Sequence, residues 1–524
     1  MAISVESRTT SRKTALPNRT DRAMALALGV MVSVICVAYV TRFIEWGDDF
    51  ALYLTQARAV SSGSLEQELA YNLRIRALND VAVGPPAAPW GYPIILSLVA
   101  QFVGWNLVNL KVIGVVSVGA IAALTFLLAR RYVGRLTSAC AAILLVAQPA
   151  LVEGVDGLGT DLPFLAVAAA TLLLAERFAL ADASTSRPRW VLLIAGALLS
   201  VTGYSIRSNG AFLPVALFAS LAVAWYRDAG STRRRLSVEM FILTVLTGIA
   251  VLVYTTVLPD GSLAHASYLT FEFSSVQRRF IEVVSSFAEF MPFLALRRLR
   301  VLDGTTGAIL MMMTLALAAF GAWRHRAHVA AMVVFFSLNA ALLLLFPFNG
   351  GARYAFPLLL VLVILVCAAL ADLLAATSTS PFGRRRSSAL RLVGASVPAL
   401  TIAGMVALFL VMSRRTPGYA TSGPLTPVSD SLFRYVRDSI PADVPVSFFK
   451  PRALRFFTGR MGVAITRAEN ADRAPYVILN KREEDARWQA NWQADRATLE
   501  AFPDGGFVPV YESSQFVVLK RSRR

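Results

Sequence analysis

The chain has 524 residues, of which 56% are hydrophobic and only 16% charged, with a formal net charge of +18. Its mean hydropathy is +0.58, and the apolar residues come in blocks long enough to cross a bilayer, which takes roughly 20 residues as a helix. These figures exclude a soluble globular protein. They also exclude a nucleic-acid binder, because the arginines cluster in short gaps between apolar blocks and not on a basic face with accessible aromatics.

Residues 1–23 are polar and basic without periodicity and read as a short disordered cytoplasmic tail. The apolar block 24–44 has no small-residue cleavage site at its end and reads as a retained first span. Residues 45–108 form a long mixed outer loop. Its last part, 92–105, is apolar but short, which suits a segment lying along the membrane or re-entering it. Further spans are expected near 109–129, 136–152, 162–181, 190–206, 210–226, 236–257, 305–323, 328–346, 355–376 and 391–412, about eleven in all with the first.

Every second gap is basic: Arg130, Arg131 and Arg135; Arg187 and Arg189; Arg227 and Arg233 to Arg235; Arg324 and Arg326; Arg384 to Arg386. An odd span number, a cytoplasmic N-terminus and an outer C-terminus fit this alternation. The outer segment 258–304 runs against it with Arg278, Arg279, Arg297, Arg298 and Arg300. Either these meet lipid headgroups or phosphate ligands, or a span is miscounted; flipping the segment would invert the later basic loops, which favours the first. Cys36, Cys140 and Cys367 fall in three different apolar blocks, which argues against a disulfide framework and reads them as buried small hydrophobes. His265, His325 and His328 have no metal-ligand spacing.

Beyond the membrane module at 24–412, residues 413–524 change character. "VPVSFF", "PYVILN", "FVPVY" and "QFVVLK" read as short strands, and 483–502 as a polar helix stopped by Pro503. The expectation is a small soluble extracytoplasmic α/β domain.

Charges near a membrane are costly without a partner or a function, so those at the outer ends of spans are the candidate site. Asp48 and Asp49 follow the first span; they can act as a general base or as metal ligands, or one can cap the helix that begins there. "GPPAAPWGYP", residues 84–93, reads as a rigid interfacial turn. Glu153, Asp156 and Asp161 are expected on the same aqueous side, with Asp161 alternatively an N-cap before Leu162. Arg207 and Arg353 stand at outer ends of spans, where a guanidinium can hold a phosphate bidentately or snorkel to headgroups. Gly350 and Gly351 permit a tight turn beside Arg353.

In this order the elements resemble the GT-C superfamily of membrane glycosyltransferases, near the bacterial protein O-mannosyltransferases and the aminoarabinose transferase. "DDFALY" stands where that family carries an acidic pair followed by tyrosine, with Asp49 four residues before Tyr53; Phe50 replaces the second acid, which leaves Asp48 and Asp49 both as candidates. "TDLPFLAV" with Asp161 is similar to the family's acidic start of the fourth span, and "RSNGAFL", which begins at Arg207, and "ARYAFPLLL" with Arg353 and Tyr354 are similar to its basic outer turns. The resemblance implies transfer of a sugar from a polyprenyl-phosphate donor to a lipid, glycan or protein acceptor, with inversion, at the outer face of the inner or plasma membrane. It implies Asp49 or Asp48 as base, and Arg353 and Arg207 on the lipid phosphate, with Arg74 and Arg76 in reserve. A divalent metal is compatible with the acidic positions but not required. The competing reading is a transporter or lipid-linked glycan flippase, which predicts internal repeats and charges near the midplane; a non-catalytic assembly subunit comes third.

Overall fold

The computed structural model describes residues 17–81, 84–179, 189–259, 274, 276–280, 304–345, 352–378, 419–481, 492–501 and 506–522. The span expected at 391–412, Gly350, Gly351, and the arginines at 187, 297, 298, 300 and 384–386 lie outside them.

Helix α1 (Arg19–Val37) begins inside the stretch expected to be a disordered tail. The reason is local: Asn18 and Asp21 form a capping box, each side chain accepting the other's backbone N–H. The helix also ends earlier than the apolar block, so the chain leaves it before the first loop.

That loop is largely helical, with α2 (Asp48–Ser62), α3 (Leu65–Leu78) and α4 (Gly91–Val103). α4 is the short apolar segment noted above and is among the apolar helices too short to pass as a span. Helix α5 (Leu107–Ala129) follows, with an irregular turn at Lys111. The apolar stretch after it is broken into α6 (Arg135–Val146) and α7 (Pro149–Val155), inclined at 67° to each other. Pro149 lacks the N–H a continuous helix needs, so the break falls where the sequence puts it.

The remaining membrane helices are α8 (Asp161–Ala179), α9 (Trp190–Ile206), α10 (Phe212–Arg227), α11 (Gly230–Val257), α12 (Gly304–Arg324), α13 (Ala330–Leu345) and α14 (Phe356–Ser378). Among the described residues six helices are long and apolar enough to cross a membrane, or up to seven with the bent pair taken as one span. The protein is therefore a largely helical membrane protein.

Charged groups separate toward opposite ends of these helices. At one end Asp21 holds Arg130 (3.0 Å) and Arg135 (2.8 Å), Arg131 meets Glu176 (2.8 Å), Arg189 meets Glu239 (2.7 Å), and His325 lies 3.2 Å from Asp372. Among the described residues, the basic gaps at 130–135, 189 and 324–326 are thus tied to carboxylates on neighbouring helices. Buried ion pairs of this kind offset desolvation only where their geometry is good. The three cysteines are buried.

The C-terminal residues form a five-stranded mixed sheet of order β2-β1-β3-β5-β4. Its strands are β1 (Pro445–Ser447), β2 (Met461–Val463), β3 (Tyr476–Asn480), β4 (Phe507–Glu512) and β5 (Phe516–Arg521). β1 runs parallel to β2 and β3, while β5 is antiparallel to β3 and β4. The helices α15 (Pro427–Ser439), α16 (Pro451–Thr458) and α17 (Trp492–Glu500) accompany it. Every residue of β3 is buried, as expected of a central strand covered on both faces. The expected polar helix is seen as α17; residues 482–491 before it lie outside the described ones.

Candidate functional site

The loop after α1 is held at its start by a buried node. Lys111 Nζ lies 2.7 Å from Asp156 Oδ1 and donates to the carbonyls of Thr41 (2.8 Å) and Phe43 (2.5 Å). Asp156 also accepts from the Thr41 N–H and hydroxyl, both at 2.7 Å. Asp156 is thus engaged structurally, contrary to the expectation that it faces water beside Asp48 and Asp49. The signal for this was Lys111, a cation at the start of a long apolar block that requires an anion nearby.

From this node the chain enters α2. Gly47 is its N-cap and makes no side-chain cap bond, so neither aspartate caps α2; both lie in its first turn, where the helix dipole favours anions. They diverge. Asp48 Oδ1 accepts from the backbone N–H groups of Arg452 (3.1 Å) and Ala453 (3.4 Å), in the first turn of α16. Burial pushes its carboxyl above 3.8, the Arg452 and Lys450 charges pull it down, Asp49 pushes it up and the Ala453 amide pulls it down. Asp49 points the other way, with about half its side chain exposed, and its Oδ2 lies 3.3 Å from Arg353 Nη2.

Tyr53 follows one helical turn after Asp49, so both side chains share a face. Its ring packs edge-on to Tyr92 at 5.2 Å, and Thr160 adjoins its hydroxyl. Burial above all, reinforced by the Asp49 charge, pushes the phenol pKa up, so Tyr53 stays a neutral hydroxyl.

Arg353 lies on a 3-10 turn (Ala352–Ala355) leading into α14. Arg207 ends α9 in extended conformation before the 3-10 turn Ser208–Ala211. Gly210 fits that turn because a Cβ there would collide with the backbone of Gly203 and Tyr204. The Arg207 guanidinium pairs with Asp161, the first residue of α8. Between the two arginines lies Tyr354, with Arg207 Cζ 4.6 Å and Arg353 Cζ 5.3 Å from its ring centroid. A guanidinium over a tyrosine face is favourable and holds both cations in place.

The structure therefore brings together Asp49, Tyr53, Asp161, Arg207, Arg353 and Tyr354. Asp48 adjoins them but faces the C-terminal domain. Arg74 and Arg76 do not join: both are exposed on α3, and Arg76 lines a separate small cleft with Tyr71, Pro85, Arg452 and Arg455. Thr160, beside the Tyr53 hydroxyl, carried no sequence signal.

Among the described residues no three His, Cys, Asp or Glu side chains converge to hold a metal ion. Asp156 is bound to Lys111 and Asp161 to Arg207. Among the described residues these acidic positions therefore do not fit a divalent cation.

No protein-family profile and no curated protein matches the sequence. Solved structures do match. ArnT from Cupriavidus metallidurans bound to undecaprenyl phosphate is 14% identical, with a TM-score of 0.57 over 95% of this chain and 97% of that one. The archaeal oligosaccharyltransferase AglB from Archaeoglobus fulgidus, in complex with an inhibitory peptide and a dolichol-phosphate, is 11% identical. Its TM-score is 0.51 over 95% of this chain and 74% of that one. At these identities the likeness shows that the chain shares the fold of these two proteins.

Proposed function

We propose that the protein is a membrane glycosyltransferase. It moves a sugar from a polyprenyl-phosphate donor to a lipid, glycan or protein acceptor at the outer face of the inner or plasma membrane. The observation that carries this reading is the exposed pairing of Asp49 with Arg353 beside the Tyr354 and Arg207 platform. It sets a carboxylate and two cations where an acceptor hydroxyl and a lipid phosphate would meet. The ligands in the two fold relatives, undecaprenyl phosphate and dolichol-phosphate, are of the same class.

In this reading Asp49 is the base, since Asp48 is taken up by two backbone amides. The donor phosphate draws Arg353 away from Asp49 and leaves a carboxylate oxygen open. Asp49 takes the proton of the acceptor hydroxyl as that oxygen bonds to the anomeric carbon from the face opposite the phosphate. The anomeric C–O bond breaks, its electron pair goes to the phosphate oxygen, and the sugar inverts. Arg353 and Arg207 stabilise the charge growing on the leaving group, a contribution that grows in a water-poor site. Tyr53, Tyr354 and Asp161 keep these groups in register.

The proposed topology has about eleven spans. The end carrying Arg130, Arg131 and Arg135 is cytoplasmic, and Asp49 and the C-terminal sheet domain are outside. The test is transfer of radiolabelled sugar from a panel of polyprenyl-phosphate sugars, in membranes carrying wild-type protein or Asp49→Asn. Transfer by the wild type that is lost in a normally inserted Asp49→Asn supports the reading. Equal transfer by both would sink Asp49 as base, and movement of intact lipid-linked sugar across the bilayer would replace the enzyme with a flippase.

A further inference from the structure

The C-terminal domain packs against the start of α2 on both sides of Asp48 in the sequence. Two residues before Asp48, Trp46 is 8% exposed, and its ring lies 5.2–6.3 Å from those of Phe433, Phe448, Phe449 and Phe516. Its indole N–H donates to the Ser422 carbonyl. Two residues after Asp48, Phe50 meets Phe456 and Phe457 at 6.3 and 6.4 Å. Between these two aromatic anchors Asp48 accepts the Arg452 and Ala453 amides of α16, and the Arg452 guanidinium donates 2.6 Å to the Pro85 carbonyl. Asp49, the next residue, is about half exposed and meets Arg353 instead.

We infer that Asp48 is a positioning residue, through which the C-terminal sheet domain fixes where the adjacent Asp49 carboxylate stands. The inference rests on the reading of Asp49 as the base. First-turn N–H groups of a helix have no intrahelical acceptor, so α16 needs a partner there, and Asp48 supplies one from a different domain. Rotating α2 about its axis would break these two bonds and lift Trp46 and Phe50 from their aromatic neighbours. The domain is accordingly part of the site's framework.

The chemistry of the contact separates positioning from catalysis. The acceptor is one oxygen, Oδ1, and an asparagine keeps that oxygen while losing the charge and the ability to take a proton. Asp48→Asn should therefore turn over like the wild type, whereas Asp48→Ala should lose about 10²-fold in kcat with little change in donor KM, the scale expected of a misplaced reacting group.

The experiment compares wild type, Asp48→Asn, Asp48→Ala and Asp49→Asn as full-length protein in nanodiscs. Hydrogen–deuterium exchange is followed over α2 and α16, and sugar transfer is followed with the donor panel. Expected are fast exchange at the start of both helices in Asp48→Ala, protection in Asp48→Asn, transfer that follows protection among the Asp48 variants, and a protected but inactive Asp49→Asn. Equal exchange in all four proteins overturns the contact whatever transfer does. Loss of transfer in a protected Asp48→Asn overturns positioning in favour of direct chemistry by Asp48. Full transfer by Asp49→Asn, with the exchange pattern intact, overturns the base assignment and leaves the clamp standing.

Discussion

Asp49 Oδ2 and Arg353 Nη2 lie 3.3 Å apart although 304 residues separate them in the chain. Both side chains are about half exposed, so the pair itself adds little stability, on the order of 0–1 kcal/mol. A weak pairing at an open site is readily exchanged for an incoming phosphate.

That exchange makes Arg353 the residue most sensitive to its shape as well as its charge. Arg353→Ala should lower kcat/KM for the lipid-linked donor about 10²-fold. Arg353→Lys should recover only part of the loss, because an ammonium cannot grip a phosphate with two parallel N–H groups. Inhibition by free undecaprenyl phosphate gives a second reading: its inhibition constant should rise in both variants. An unchanged constant in Arg353→Ala would remove this arginine from the phosphate site.

Asp161 and Arg207 should behave as one unit. Each retains under a fifth of its side-chain exposure, so removing one charge strands the other. A double-mutant cycle of Asp161→Asn with Arg207→Gln, read by thermal unfolding in detergent, should return a coupling of about 1–3 kcal/mol. Strict additivity would mean that the pairing contributes nothing to the fold.

Lys111 and Asp156 predict a larger effect, because both are nearly inaccessible. Lys111→Met should destabilise by about 3–5 kcal/mol, since Asp156 would remain buried with its main countercharge removed. Adding Asp156→Asn to that variant should restore part of the melting temperature. No recovery in the double variant would count against a charge-balance explanation.

The pH dependence of stability should carry the mark of Asp48. Burial raises its carboxyl above the ordinary 3.8, so the folded state holds this proton more tightly than the unfolded one. The stabilisation is then complete below the unfolded value and is lost as the pH rises through the folded value. Asp48→Asn has nothing to titrate there. Melting temperatures followed from about pH 4 to neutrality should fall less in this variant than in the wild type. Parallel curves would mean that Asp48 ionises in the folded protein as it does in the unfolded one.

The membrane helices were legible because a bilayer imposes a length and a composition on each span, and the expected spans through 355–376 fall on helices. The candidate site was legible only as separate charges at helix ends. Nothing local in "DDFALY" states that Arg353 is its partner, and nothing in "TDLPF" points to Arg207; those pairings arise from packing. The choice between Asp48 and Asp49 was open for the same reason, since what distinguishes them is α16, some 400 residues on. Arg74 and Arg76 stayed in reserve for the phosphate because an exposed helix face and a cleft wall have the same composition. β2 was missed because three residues are too few for an alternation to register.

Helices α1 and α5 meet backbone to backbone at Gly29 and Gly119. A methyl on Gly29 would lie 2.8 Å from the Gly119 carbonyl oxygen, and one on Gly119 would lie 2.6 Å from that of Gly29 and collide with the Ser33 hydroxyl. In lipid, close approach of this kind takes the place of hydrophobic burial as the reason two helices stay together. Main chain cannot change rotamer, so the seam allows no gradual sliding of one helix along the other. It works as a fixed stop, and how far α1 stands along α5 is set by two residues that have no side chain.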